Sequence, residues 1–186
     1  MAERCVAALR DAVGDEIDIM VDCPARPSPT LGLMLAKALD SYGLYFFEEP
    51  CWPEVLDAMA DIARTVSMQI ATGERIMSQD VFRDLLAKRA ASVLQPDIVH
   101  CGGLTQARRI AAMAEAYYVG VQPHNPYGPV NTMAAIQVDV GMPNFMIQEG
   151  GHGVWFDQVV VGEFPKQING YFDVPMGPGI GIDMDE

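Results

Sequence analysis

The sequence predicts an α/β protein, an incomplete TIM-type (β/α) barrel, and three observations carry that expectation. Short β-rich runs alternate with longer helical patterns over most of the 186 residues. Nearly every β-rich run ends in a polar or charged residue. Those ends recur at near-constant spacing: Asp22, Glu48 and Glu74 are 26 residues apart, Asp97 follows after 23, His124 after another 27 and Glu149 after another 25. Apolar strands alternating with helices require a parallel sheet covered by helices, either open and doubly wound or closed as a barrel. No GxGxxG follows the first strand and no GxxxxGK[ST] occurs, which weakens the open, nucleotide-binding form. The regular spacing favours the barrel, where all strand ends surround one mouth.

Residues 1–13 read as a helix with Val6, Ala7 and Leu9 on its apolar face, stopped by Gly14. A strand over 17–22 and a helix over 28–43 follow, then a strand over 44–49 and a helix over 51–66 whose first turn suits Pro53. The cycle continues with a strand at 68–74, a helix at 79–91, a strand at 92–99 and a helix at 105–118. It ends with a strand at 119–124, a helix from 129 to 140 and a strand at 145–150. Beyond that the chain turns rich in Gly and Pro. Residues 1–160 are expected to form the partial barrel carrying the metal site, and 161–186 an extension packing outside it.

Composition narrows the function. Half the residues are apolar, which suits a globular core, and the net charge of −13 repels nucleic-acid backbones and anionic membranes. No run reaches 18 apolar residues, and charges interrupt the first helix where a secretory signal needs an apolar stretch, so a cytoplasmic location is the default expectation. The four cysteines, Cys5, Cys23, Cys51 and Cys101, lie far apart without CxxC and read as reduced thiols.

Three carboxylates at consecutive strand ends, Asp22, Glu48 and Glu74, would repel one another and lose hydration if left bare. A hard divalent cation removes both penalties, and an all-oxygen donor set favours Mg²⁺, with Mn²⁺ fitting the same ligands. The alternative is that these acids merely favour the starts of the following helices. In the "EEP" run, register selects Glu48, leaving Glu49 to orient Arg75 or another neighbour. Asp97 and His124 fall on adjacent strands, so the carboxylate can hold one imidazole nitrogen while the other faces a substrate as general base; a structural bond between strands is the plainer alternative. Asn125 holds the turn or touches substrate, and Glu149 faces the mouth from the last strand. Together these groups suggest metal-assisted removal of a proton from the carbon beside a carboxylate.

The segments "VDCPARPSP", "FFEEP", "ATGER", "QPDIVHCGG", "VQPHNPYGPV" and "GPGIGIDMDE" resemble the enolase superfamily, mandelate racemase subgroup, and most nearly its sugar-acid dehydratases of the galactonate dehydratase kind. The resemblance covers essentially the whole chain. It implies the last six strands of that family's barrel, Asp22, Glu48 and Glu74 as Mg²⁺ ligands, Asp97 with His124 as the basic dyad, and Glu149 as the group stabilising the intermediate. It also implies dehydration of an aldonic or aldaric acid to a 2-keto-3-deoxy acid by an oligomeric enzyme.

Two departures qualify the expected activity. Relatives of the dehydratase type carry a histidine two residues after the first metal aspartate, to protonate the leaving hydroxyl; Pro24 stands there and has no proton to give. The family's capping domain and first two barrel strands are expected before residue 1, supplied by a longer product or a companion chain. The isolated chain is therefore expected to be inactive. The alternatives are an acid-sugar racemase or epimerase and an inactive metal-binding fragment.

Overall fold

The computed structural model describes residues 1–150, 153 and 155–185. Helices and short strands alternate in chain order: α1 (Ala2–Val13), β1 (Met20–Asp22), α2 (Pro29–Leu39), β2 (Phe46–Glu48), α3 (Leu56–Thr65), β3 (Gln69–Thr72), α4 (Gln79–Lys88), β4 (Val93–Leu94), α5 (Leu104–Glu115), β5 (Gly120–Val121) and α6 (Pro129–Asp139). The backbone groups into two compact units, Met1–Gly73 with Asp80–Leu94, and Glu74–Gln79 with Gln95–Glu186.

In the first unit β1, β2, β3 and β4 pair in parallel, each with the next in sequence. The register sets Asp22 opposite Glu48, Glu48 opposite Ala71 and Ala71 opposite Val93. Strands that follow one another without reversal wind in one direction, as in a barrel wall; a doubly wound sheet reverses its order. Phe46 and Phe47 of β2, Ile70 of β3 and Leu94 of β4 are fully buried with Leu39, Met59, Ile62, Phe82, Leu85 and Leu86 from the helices. A run apolar on both faces is what a helix-covered parallel strand needs.

The ladders are shorter than the sequence runs. Pro50 follows β2 and Pro96 follows β4, and a residue without an N–H cannot extend a ladder. At β2 the chain also turns at Glu49, whose φ is +42°, although its N–H still donates to the Ala71 carbonyl at 2.9 Å. The α3 helix begins at Leu56 and not near residue 51: Pro53 lies in the preceding turn, which the Val55 N–H closes onto the Trp52 carbonyl. On α1 only Val6 is buried, and Leu9 is exposed. Arg10 anchors that helix instead, its guanidinium donating to the carbonyls of Gly14, Ile17, Tyr42 and Gly43.

At the start of α2 Ser28 caps the helix, accepting from the Leu31 N–H at 3.3 Å, with Pro29 in the first turn. Gly32 then allows the helix to lie directly on the chain at Pro50. A Cβ added at Gly32 would collide with the Pro50 carbonyl.

In the second unit α5 buries Ala107, Ile110, Ala111 and Ala114 along one face. Helix α6 is buried on most of its surface, and its Met133 and Ile136 join Phe156, Val160 and Phe164 in a core that Val159, Phe172, Ile180 and Ile182 complete. The tail is tied back by an antiparallel bridge of Val160 with Met184. Its final residue, Glu186, lies outside the described residues. Residues 145–150 make one parallel bridge, Val121 with Phe145, in place of the expected strand. Pro123 interrupts the opposing segment, and the Gln148 side chain fills in by donating to the Pro123 carbonyl at 3.0 Å.

Asp139, the last residue of α6, is 8% exposed, and its Oδ1 has no hydrogen-bond partner among the described residues. Burial pushes its carboxyl up to about 8. The negative end of the helix dipole works in the same direction. Because the folded value lies above the unfolded one, the contribution to stability is complete below about pH 4 and is lost as pH rises toward about 8, at up to roughly 1.4 kcal/mol per pH unit.

Two outcomes follow. Gly32→Ala should lower the unfolding free energy by about 1–3 kcal/mol in urea titrations; an unchanged midpoint would show that α2 and the Pro50 turn are not in forced contact. Asp139→Asn should be the more stable protein near neutrality, with a gap over wild type that widens between pH 5 and pH 8. Thermal unfolding curves that stay parallel across this range would contradict the buried, protonated acid.

Candidate active site

Four of the residues singled out in the sequence meet in the second unit. Asp97 and His124 face each other across an isolated parallel bridge, and the His124 N–H donates to the Pro96 carbonyl at 3.3 Å. Their side chains meet at 2.7 Å, Asp97 Oδ2 to His124 Nδ1. An ionised carboxylate only accepts, so Nδ1 carries the proton and Nε2 points the other way. Nε2 is 3.3 Å from Glu74 Oε2 and 3.9 Å from Glu149 Oε2. Glu74 also pairs with Arg75 at 3.3 Å.

The electrostatics follow from these contacts. Asp97 has no solvent exposure, and burial alone would raise its pKa. The hydrogen bond from His124, the backbone N–H groups of His100 and Val99 and the nearby His100 ring outweigh that and hold the carboxyl below its ordinary range. For His124, burial works against the charged form. The Asp97 bond and the charges of Glu149, Glu74 and Asp97 more than offset it and raise the imidazole above its usual value. An imidazole so placed accepts a proton readily and is stabilised once it has done so.

Glu149 is positioned by backbone: the Asn125 N–H donates to its Oε2 at 2.9 Å. Asn125 is itself fixed, its amide donating to Thr132 Oγ1 at 3.0 Å and accepting from Asn131 Nδ2 at 2.8 Å. Thr132 donates in turn to the Gly128 carbonyl at 3.2 Å, so the first turn of α6 holds the segment. Gly150, with φ +112°, lets the chain pass Asn125; a Cβ there would press on its amide.

Two functional candidates escaped the sequence reading. His100 sets Nδ1 at 3.1 Å from the Glu74 carbonyl and 3.6 Å from Asp97 Oδ2, and its Nε2 at 3.0 Å from the Tyr127 hydroxyl. Tyr127 lies edge-on to both rings, its centroid 6.0 Å from His100 and 6.3 Å from His124. The available signal was spacing: each stands three residues beyond a member of the Asp97–His124 pair, at the end of "DIVH" and "HNPY".

Asp22 and Glu48 belong to the first unit, as direct partners across the β1–β2 ladder with Glu48 nearly buried. Among the described residues no group of three or more His, Cys, Asp or Glu side chains is gathered as a metal cage. The donor chemistry nevertheless fits a hard cation. Partners in a parallel register lie on one face about 4.8 Å apart, and two carboxylates so placed suit an oxygen-seeking divalent ion.

Comparison with known proteins agrees with the fold. A family model described as "Enolase C-terminal domain-like" matches residues 1–186. The D-galactonate dehydratase of Cronobacter sakazakii is 36% identical over 192 residues, covering all of this chain and 50% of that protein. The D-gluconate dehydratase of Thermoproteus tenax is 34% identical, covering all of this chain and 38% of that one. The chain thus spans half or less of the length of these two relatives. Among solved structures, a mandelate racemase/muconate lactonizing enzyme from Jannaschia superposes with a TM-score of 0.93 at 33% identity, over 99% of this chain and 47% of that one. An enolase of the mandelate racemase subgroup from Agrobacterium tumefaciens gives 0.92 at 36% identity, over 99% and 50%.

Proposed function

The chain belongs to the enolase superfamily, mandelate racemase/muconate lactonizing enzyme subgroup, and we propose that it carries the proton-abstracting part of a magnesium-dependent sugar-acid dehydratase. The observation that supports this most is the Asp97–His124 pair, with Nε2 turned toward Glu74 and Glu149. The names of its relatives, D-galactonate dehydratase and D-gluconate dehydratase, supply the substrate class.

In this reading His124 Nε2 takes the proton from the carbon beside the substrate carboxylate. Asp97 keeps the other nitrogen protonated and offsets the charge of the imidazolium. Glu149, held by the Asn125 N–H, is the proposed partner of the developing enediolate, to which its carboxylic-acid form would donate a hydrogen bond. Asp22, Glu48 and Glu74 are the proposed Mg²⁺ ligands. When bound, the ion neutralises charge that builds on the substrate carboxylate. Loss of the neighbouring hydroxyl needs a proton, and Pro24 cannot give one. That residue favours the second reading, a racemase or epimerase, in which proton removal and return suffice.

Assayed alone with Mg²⁺ on a panel of aldonic and aldaric acids, the 186-residue chain should form no 2-keto acid; brisk dehydration would overturn that. Completed by co-expression with the N-terminal half of a relative, it should exchange the substrate α-proton with D₂O, and His124→Ala should reduce exchange at least a hundredfold. Exchange that survives the substitution removes His124 from the role of base. Pro24→His in the completed form separates the two readings: gain of 2-keto acid favours the dehydratase, exchange without elimination the racemase.

Magnesium should stabilise the chain by RT ln(1 + [Mg²⁺]/Kd), about 2.7 kcal/mol at a hundredfold excess over Kd. Glu48→Gln should remove most of that gain. A melting temperature that ignores Mg²⁺ in both proteins would count against the metal assignment.

A further inference from the structure

We propose that His100 and Tyr127 are positioning residues that fix the protonation pattern of the Asp97–His124 pair, an inference that rests on His124 acting as the base. The argument is one of donors and acceptors. The Nδ1 of His100 faces a carbonyl, that of Glu74, and a carboxylate, that of Asp97, and both groups only accept. The proton of a neutral His100 ring therefore sits on Nδ1. Its Nε2 is then a lone pair, and the Tyr127 hydroxyl at 3.0 Å donates into it.

Each oxygen of Asp97 is thereby committed. Oδ1 accepts the N–H groups of Val99 at 2.8 Å and His100 at 3.2 Å, and Oδ2 accepts His124 Nδ1 at 2.7 Å. Among the described residues His100 Nδ1 also approaches Oδ2, at the longer distance of 3.6 Å, where the Glu74 carbonyl holds it, and the Tyr127 hydroxyl is a further neighbour of the same carboxylate. Tyr127 closes the arrangement: with the His100 proton on Nδ1, its hydroxyl donates into the Nε2 lone pair and favours that ring form over the one with Nε2 protonated and Nδ1 bare. Its ring stands edge-on to both imidazoles, at 75° to His100 and 87° to His124. Remove the hydroxyl and His100 can protonate Nε2 instead, which turns a lone pair on Nδ1 toward the carboxylate and loosens the support under His124.

Neither residue abstracts the proton, so the test reads the rings directly. Nitrogen-15 imidazole spectra of the 186-residue chain in mildly alkaline buffer should show His100 as the Nδ1–H form. Tyr127→Phe, which keeps the ring, should convert His100 to a mixture of forms and speed solvent exchange of the His124 Nδ1 proton severalfold. His100→Asn, with an amide N–H near the place of Nδ1, should restore slow exchange at His124, whereas His100→Leu should not. Finding His100 as the Nε2–H form in wild type, or unaltered spectra in Tyr127→Phe, overturns the proposal. In the completed protein Tyr127→Phe should lower kcat for α-proton exchange about tenfold with KM nearly unchanged; a loss confined to KM also overturns it. The spectra do not depend on any sugar acid. Correct ring forms without exchange in the completed wild type would count against the dehydratase reading alone.

Discussion

The carboxylate of Asp97 is fully removed from solvent, and the site depends on keeping it ionised there. A buried charge is tolerated only when donors replace the water it has lost. Three converge on it: two backbone N–H groups on Oδ1 and the His124 ring on Oδ2. The backbone donors come from Val99 and His100, in the turn that follows directly on Asp97, so the local chain path solves most of the solvation problem. What remains is one strong acceptor position, and His124 occupies it. The orientation of the imidazole is thus a consequence of the aspartate's burial, and the direction in which Nε2 points follows from both.

The barrel-type winding was legible because it rests on repetition. Equal spacing of Asp22, Glu48 and Glu74 encodes a strand, a helix and two turns of similar length; the in-order parallel register reproduces it for Asp22 and Glu48, whereas Glu48 pairs with Ala71 and Glu74 follows three residues later, past the end of β3. The Asp97–His124 pairing was legible for the same reason, since strand ends in adjacent positions meet. Residues that act through turn geometry were not. His100 and Tyr127 come together through two loops whose paths no periodicity describes, and the Asn125–Asn131–Thr132 network depends on how α6 begins. Helix and strand limits moved for a simpler cause: Pro50, Pro53, Pro96 and Pro123 each remove an N–H or fix a φ where apolar patterning alone continues the element.

The turn after β1 shows a different kind of constraint. Pro24 and Ala25 carry φ values of +24° and +53°, in a region that a proline ring, set near −65°, disfavours. Local hydrogen bonds impose this path, with the Cys23 N–H on the Glu48 carbonyl at 3.1 Å and the Arg26 N–H on the Cys23 carbonyl at 3.0 Å.

The same logic explains the histidine between two prolines. In "PHNP" only His124 and Asn125 own an N–H, because Pro123 and Pro126 have none. The first goes to the Pro96 carbonyl and ties His124 to the segment that carries Asp97; the second goes to the Glu149 carboxylate. The prolines leave no spare donor with which this segment could slide into an alternative register, and each surviving N–H fixes one partner of the imidazole. A continuous ladder would have spent both donors on backbone carbonyls. By interrupting it, the chain frees the Asn125 N–H to hold Glu149 within 3.9 Å of Nε2, so the break in regular structure is what brings the last acidic group to the base.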